Sequence, residues 1–165
     1  MRPFFQLPFL DEQRKLEKFL KGFNRFKPDV MFFQEYSDAL HRHFIKEGNY
    51  YVAADPTKDT MIVAKRKAFR KRHPNDQVLS EMSSQLKNKL NPSGRSVFMC
   101  VDDYILLNVH LTSKQEKNIA QSAELVDGLK QLARAYPKAK IIAGGDINSF
   151  LEERYLRDYY RMHPR

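Results

Sequence analysis

Three apolar stretches of this chain each run into polar side chains of the kind that bind metals or phosphates. Val30-Met31-Phe32-Phe33 leads into Gln34-Glu35. Tyr104 to Val109 leads into His110, with Thr112 and Ser113 just beyond. Lys140 to Ala143 leads into Gly144-Gly145-Asp146-Ile147-Asn148, and Arg95 stands just ahead of a fourth stretch, Val97 to Val101. Strand ends and the loops after them are where sheet proteins build their sites. Glu35 and Asp146 are hard oxygen donors suited to Mg²⁺ or Mn²⁺. Asn148 can donate to a phosphate oxygen and accept from a water. Arg95 offers a planar fork that matches phosphate, and His110 can hold or move a proton near neutral pH. A divalent cation, a carboxylate for water and phosphate-facing donors are the components of phosphoester hydrolysis. Taken singly, each has an ordinary explanation: a solvated strand end for Glu35, turn chemistry for Gly144-Gly145-Asp146, a satisfied core histidine for His110.

The elements that must position these groups follow from periodicity. Leu16, Phe19, Leu20 and Phe23 fall on one helical face, which predicts a helix from Asp11 to Phe23 with Asp11 as its N-cap. Val30 to Phe33 reads as a buried strand, and Ser37 as the cap of a shorter helix reaching Ile45. After the Gly48-Asn49 turn, Tyr50 to Ala54 and Thr60 to Ala64 read as strands. Lys65 to Gly94 reads as a long polar excursion with a helix near Ser80 to Leu90. Val97 to Val101 and Tyr104 to Leu111 flank Asp102-Asp103 as a hairpin. A long helix, Glu116 to Tyr136, follows; Ile119, Ala123, Val126, Ala133 and Tyr136 are the expected inner face, and Pro137 ends it. Helices interleave with strands, and the hairpin argues against a purely parallel sheet. The expected class is therefore α+β, with a mixed sheet or two sheets covered by helices.

Composition bounds the rest. The 165 residues suit one domain, and 42% hydrophobic with 30% charged residues fits a globular chain with a buried core. No apolar run approaches the roughly 20 residues of a membrane span, and the opening residues lack the features of a signal peptide. The single Cys100 rules out an intrachain disulfide and points to a reducing compartment, cytoplasm or nucleus; inside a strand it reads as an inert thiol. The net charge of +9 attracts polyanions such as nucleic acid, phosphorylated metabolites or an acidic membrane face. The basic run Lys65 to Arg72 makes Lys65 and Arg66 candidate substrate contacts, with Phe69 available for base stacking. His41 and His43 lie two apart on a helix and share no face, which argues against a metal pair. Tyr155, Tyr159 and Tyr160 are expected to pack on the body or face a partner.

Pro28-Asp29-Val30-Met31-Phe32-Phe33-Gln34-Glu35 resembles the "PDV…LQE" segment of the endonuclease/exonuclease/phosphatase superfamily. Asn108-Val109-His110-Leu111 resembles its "N-x-H-L" strand, and Gly145-Asp146-Ile147-Asn148 its "GDxN" motif. Ser93-Gly94-Arg95 resembles the arginine segment ahead of that hairpin in deoxyribonuclease I-like relatives. The segments occur in the family's order and span Asp11 to Asn148. The resemblance implies a four-layer α/β/β/α sandwich with the site at one end of two sheets. It implies Glu35 as metal ligand, and Asp146 near the metal, positioning or deprotonating the attacking water. It further implies Asn148 on the scissile phosphate, with His110 and Arg95 on phosphate oxygens and Asn108 among the substrate-binding residues.

Two family motifs find no counterpart: the asparagine strand that normally opens the domain, and the closing Ser-Asp-His, which Met162-His163-Pro164-Arg165 does not match. Residues 1–165 are thus expected to form a single partial domain, truncated at both ends. The leading expectation is a Mg²⁺- or Mn²⁺-dependent phosphoester hydrolase, a nuclease or phosphodiesterase acting on nucleic acid. The alternatives are an inactive relative that binds nucleic acid or a protein, a phosphatase of inositol lipids or other small phosphoesters, and a fragment completed by a partner chain.

Overall fold

The computed structural model describes residues 7–57, 59–70 and 81–148, with side chains from residue 12 onward. The first helix, α1, spans Leu7–Phe26, so it starts ahead of the expected Asp11 cap. Strand β1 is Val30–Gln34. Helix α2 is Asp38–Glu47; Ser37 Oγ accepts from Leu40 N at its start, and Gly48 closes it in the left-handed region at φ 67°. Strands β2 (Tyr50–Ala54) and β3 (Thr60–Lys65) follow. Helix α3 is Ser84–Leu90, capped by Ser83. Strands β4 (Ser96–Val101) and β5 (Tyr104–His110) form the expected hairpin. Helix α4 is Gln115–Ala135, and β6 is Lys140–Asp146.

The strands make two three-stranded sheets, one ordered β1-β3-β2 and the other β4-β5-β6. The first is antiparallel throughout. In the second, β5 and β6 run parallel. A parallel neighbour needs a crossover, and α4 supplies it.

Three apolar cores hold these pieces together. Ala53, Ile62 and Ala64 of the first sheet meet Met99, Val101 and Leu106 of the second. Phe19 and Phe23 of α1 and Phe44 of α2 pack with Met61 and Val63 on the first sheet's other face. Leu86 and Leu90 of α3 and Leu125 and Leu132 of α4 pack with Cys100, Ile105, Leu107 and Val109 of the second sheet. Both sheets are therefore apolar on both faces. That explains near-continuous apolar runs such as Ile105-Leu106-Leu107, where alternation would mark a half-solvated sheet. Cys100 is buried, as its place in a strand implied.

Two expectations about faces are corrected. On α4 the buried positions are Asn118, Leu125, Gly128 and Leu132, while Ile119 and Val126 are 65% and 50% exposed. The helix is rotated because Asn118 is drawn inward by the hydrogen bonds described below, and Gly128 lets it approach Lys89 and Leu90 of α3 closely. Phe69 is buried, edge-on to Tyr104 in the core between the sheets, so it is not a base-stacking surface. Tyr155, Tyr159 and Tyr160 lie outside the described residues.

At the end of the sheets away from the candidate site, Lys140 ties β6 to the hairpin. Its Nζ lies 2.8 Å from Asp103 Oδ2 and 4.9 Å from the centre of the Tyr104 ring. The hydrogen bond from Lys140 holds the Asp103 carboxyl below the usual carboxylate range, and Asp103 raises the Lys140 ammonium in return. A lowered carboxylate contributes stability above its unfolded pKa and loses it as pH falls through the folded value. A raised ammonium contributes below its unfolded pKa and loses it as pH rises through the folded value. Both groups are solvent-exposed, so the contribution is small and salt-sensitive. We expect Asp103→Asn to melt slightly below wild type near neutral pH in low salt. The gap should close in high salt, in strong acid and in strong alkali, as thermal melts across those conditions would show.

Candidate active site

Both sheets end at the candidate site in the same way: each hydrogen-bonded ladder runs one rung past its strand. Glu35 N donates to Asp59 O at 2.7 Å, His110 N to Arg95 O at 3.0 Å, and Leu111 N to Asp146 O at 2.9 Å. Within the strands the flanking register pairs are Gln34 with Thr60, Ser96 with Val109, and His110 with Asp146. Antiparallel pairing thus brings the ends of β1 and β5 beside the starts of β3 and β4, and parallel pairing adds the end of β6. Glu35, Arg95, His110 and Asp146 therefore gather at one end of the two sheets.

The centre of the group is a residue the sequence reading did not single out. Asp59 Oδ1 lies 2.9 Å from His110 Nδ1, and Asp59 Oδ2 lies 3.1 Å from Arg95 Nε. The His110 and Asp59 side chains are 6% and 13% exposed, so this bridge between the sheets is largely shielded from water. Asp59 Oδ2 is ion-paired with Arg95 but accepts no well-aligned hydrogen bond, which leaves a buried carboxylate lone pair open. Asp59 follows a short polar loop, and its place opposite Glu35 depends on pairing between β1 and β3, which are not neighbours in sequence. An acidic residue at the start of a strand was the only local signal.

Arg95 Nη2 and Asn148 Nδ2 both donate to the Leu111 carbonyl, at 3.3 and 2.8 Å, so their polar heads are neighbours. Asn148 has φ 46° and Glu35 has φ 49°, making them two of the four non-glycine residues with positive φ among those described. Such backbone is costly, and where it is retained the surrounding structure must hold it. At Asn148 the holding groups are visible: its N–H donates to Asp146 Oδ1 at 2.9 Å, and its amide reaches Leu111. Asn118 of α4, buried at 4% exposure, donates to both Thr112 O and Ile147 O and clamps this loop to the loop after β5.

The two glycines before Asp146 lie inside β6 and are not a turn. A Cβ on Gly144 would meet the Phe32 ring at 2.9 Å, and one on Gly145 (φ 132°) would meet the Val109 carbonyl at 1.9 Å. Small residues here let β6 close against both β1 and β5.

Ligand atoms of Glu35, Asp59 and His110 all lie within 4.8 Å of one another. Two carboxylates and an imidazole suit a divalent cation, and the open oxygen on Asp59 fits one. Asp146, expected as a second ligand beside Glu35, is not in that trio; it stands one strand away, in register with His110. Its side chain is exposed and engaged by Asn148.

Three expected substrate contacts are not at the site surface. Asn108 is fully buried: its amide nitrogen donates to Phe33 O and Met61 O at 2.8 and 3.0 Å, and its Oδ1 accepts from Gln34 Nε2 at 2.6 Å. It fastens the two sheets together and has no donor left for a ligand. Lys65 and Arg66 lie at the opposite end of β3, about 17 Å from Thr60 at ~3.3 Å per residue. There Arg66 stacks over Tyr51 and donates to Tyr50 O.

Neither a family model nor a curated protein matches this sequence. Among solved structures the chain is similar to a humanized D. rerio TDP2 carrying 14 mutations, with a TM-score of 0.57 and 20% identity. The match covers 95% of this chain and 61% of that one, so the chain spans about three-fifths of that protein's length. At this identity the likeness is one of fold, and it extends over nearly the whole of the chain.

Proposed function

We propose that this chain is a divalent-metal-dependent phosphoester hydrolase of the deoxyribonuclease I-like type, acting on nucleic acid. In this reading residues 1–165 form one domain, and the helix pairs and two sheets stack as its α/β/β/α sandwich. The observation that carries the reading is the gathering of Glu35, Asp59, Arg95, His110, Asp146 and Asn148 at one end of both sheets.

Glu35 is the residue to hold the cation: it is exposed at the rim, and its carboxylate has no hydrogen bond or ion pair among the described residues. Mg²⁺ or Mn²⁺ bound there would neutralise phosphate charge and favour a nucleophilic water. Asp146 is placed to orient and deprotonate a water. Arg95 and Asn148, side by side on the Leu111 carbonyl, supply donors for phosphate oxygens. His110 adds a further donor or proton carrier beside them. The +9 charge favours a polyanionic substrate.

Labelled single-stranded and duplex oligonucleotides, with a phosphoinositide in parallel, test this. Cleavage should need Mg²⁺ or Mn²⁺, stop with a chelator and resume when the metal is restored. The metal alone should raise the melting temperature, because a ligand of the native state stabilises it by about 2.7 kcal/mol at 100 times its Kd. Cleavage of the lipid alone would replace the nucleic-acid substrate with a headgroup. A folded protein with neither turnover nor a metal-induced shift would overturn the hydrolase reading in favour of a binding role.

A further inference from the structure

We propose that the outer edge of β6 is a self-association surface: a second copy of this chain adds its own β6 there, antiparallel, about a two-fold axis at Ala143. The proposal concerns the sheet edge and does not rest on the phosphoester reading.

The starting observation is an edge left open. β6 ends its sheet, and five of its seven residues are exposed, whereas the other edge strands, β1, β2 and β4, expose none. Ile142 is 41% exposed. Lys140 N donates to Asp103 O, and Leu111 N donates to Asp146 O. In a parallel ladder alternate residues turn both N–H and C=O to the same neighbour, so Lys140, Ile142, Gly144 and Asp146 face β5. Ile141 and Ala143 turn theirs outward, where they meet no backbone partner among the described residues. A row of open N–H and C=O groups is a template for another strand, and natural edges are usually guarded by an internal charge or a proline. Ile141-Ile142-Ala143-Gly144-Gly145 carries neither.

The occupant follows from the charges at the two ends. β6 starts on Lys140 and finishes on Asp146. Rotated about Ala143, a second β6 sets its Asp146 against Lys140 and its Lys140 against Asp146. Ala143 then faces Ala143, and Ile141 faces Gly145, in phase with the outward backbone groups; a slip of one residue would lose that phase. Lys140 and Asp146 fall at positions that share no backbone bond, where opposed side chains lie closest. Both charges remain available: the ion pair of Lys140 with Asp103 is solvent-exposed, and Asp146 accepts from Asn148 N through Oδ1 alone.

β1 fits the same axis. It ends the other sheet, and its middle residue, Phe32, is the ring that a Cβ on Gly144 would meet. A two-fold at Ala143 therefore brings β1 up to β1 of the second copy, so both sheets continue across one self-complementary interface. The two candidate sites end up at opposite ends of the pair, and each copy adds its Lys140 to the rim of the other's site.

Analytical ultracentrifugation of the full chain at about 100 μM, above the micromolar end of specific interfaces, should give twice the chain's 19.5 kDa. Amide hydrogen exchange followed by NMR should show Ile141 and Ala143 protected more strongly as concentration rises, since only the pair bonds their donors. Ala143→Pro removes the central outward donor without touching the β5 ladder, a place where an edge strand tolerates proline; it should give a folded monomer. Lys140→Asp and Asp146→Lys each oppose like charges and should weaken association about tenfold, and the double variant should recover it. A monomer at this concentration overturns the proposal, whether those two amides exchange freely or are protected at every concentration. A dimer indifferent to both Ala143→Pro and the charge variants lies on another surface and overturns it too. If Ala143→Pro fails to fold, the charge variants decide: no recovery in the double variant overturns the antiparallel register and the proposal with it.

Discussion

Replacing Asp146 with alanine should lower metal-dependent turnover by about 10²–10⁴-fold, the usual contribution of a positioned general base, while leaving the fold in place. The two effects separate because of where Asp146 sits. It is the last residue of β6, its side chain is exposed, and among the described residues that side chain accepts one hydrogen bond, from the Asn148 N–H. Losing one exposed hydrogen bond costs about 0.5–1.5 kcal/mol, within the tolerance of an ordinary domain. Asp146→Asn sharpens the experiment. An amide oxygen can still accept from Asn148 N–H and keep the loop in shape, but it cannot take a proton from water. If Asp146 acts through its charge and basicity, both variants should be inactive and both should melt near wild type. Full activity in Asp146→Asn would assign it to loop geometry and move the search for a base to His110, whose Nδ1 faces Asp59 and whose Nε2 has no hydrogen bond among the described residues.

The contrast between Asp146 and Asp59 shows which parts of this site a sequence can carry. Glu35, His110 and Asp146 each end an apolar run, so their positions at strand ends were legible from local pattern, as were the hairpin and the cap at Ser37. Asp59 is no less central, but its meaning depends on β1 pairing with β3 across α2 and β2, and on the first sheet facing the second. Neither relation leaves a local trace. Burial was the other gap. Asn108 and His110 lie two apart on β5 and share the face toward the first sheet, so the motif does not tell which of them sits at the sheet end and which is sealed between the sheets. The α4 face failed for a related reason: scoring apolar residues favoured Ile119 and Val126, whereas the buried position is a polar Asn118 satisfied by two carbonyls. Buried polar residues are where hydrophobic periodicity misleads, because hydrogen bonds rather than transfer energy hold them inside.

Asn108→Asp should be among the most destabilising single substitutions in the chain, by about 3–5 kcal/mol at neutral pH. The side chain is fully buried, and its amide nitrogen satisfies two backbone carbonyls of the first sheet, Phe33 O and Met61 O. A carboxylate would turn an oxygen toward both carbonyls, forfeiting two hydrogen bonds and placing a charge among acceptors. The new acid can relieve this only by staying protonated, which raises its folded pKa above the unfolded value. A raised carboxyl favours the folded state in acid and loses that contribution as pH climbs past the unfolded pKa, so the deficit should shrink on acidification. Denaturant unfolding of both proteins at about pH 4 and pH 7 would show this convergence against the ordinary Asp range. Asn108→Ala should cost about 2–4 kcal/mol with no such pH dependence, since it leaves the carbonyls and Gln34 unpaired without adding charge. The consequence reaches the site, because Asn108 lies two residues from His110 and its Oδ1 is 2.8 Å from where a side chain on Gly145 would begin. A variant of normal stability that binds oligonucleotide poorly would instead return Asn108 to the substrate. The hydrogen bonds joining it to the opposite sheet argue for the first result: β1, β3 and β5 are held in one frame through this amide, and the frame is what brings Asp59 to His110.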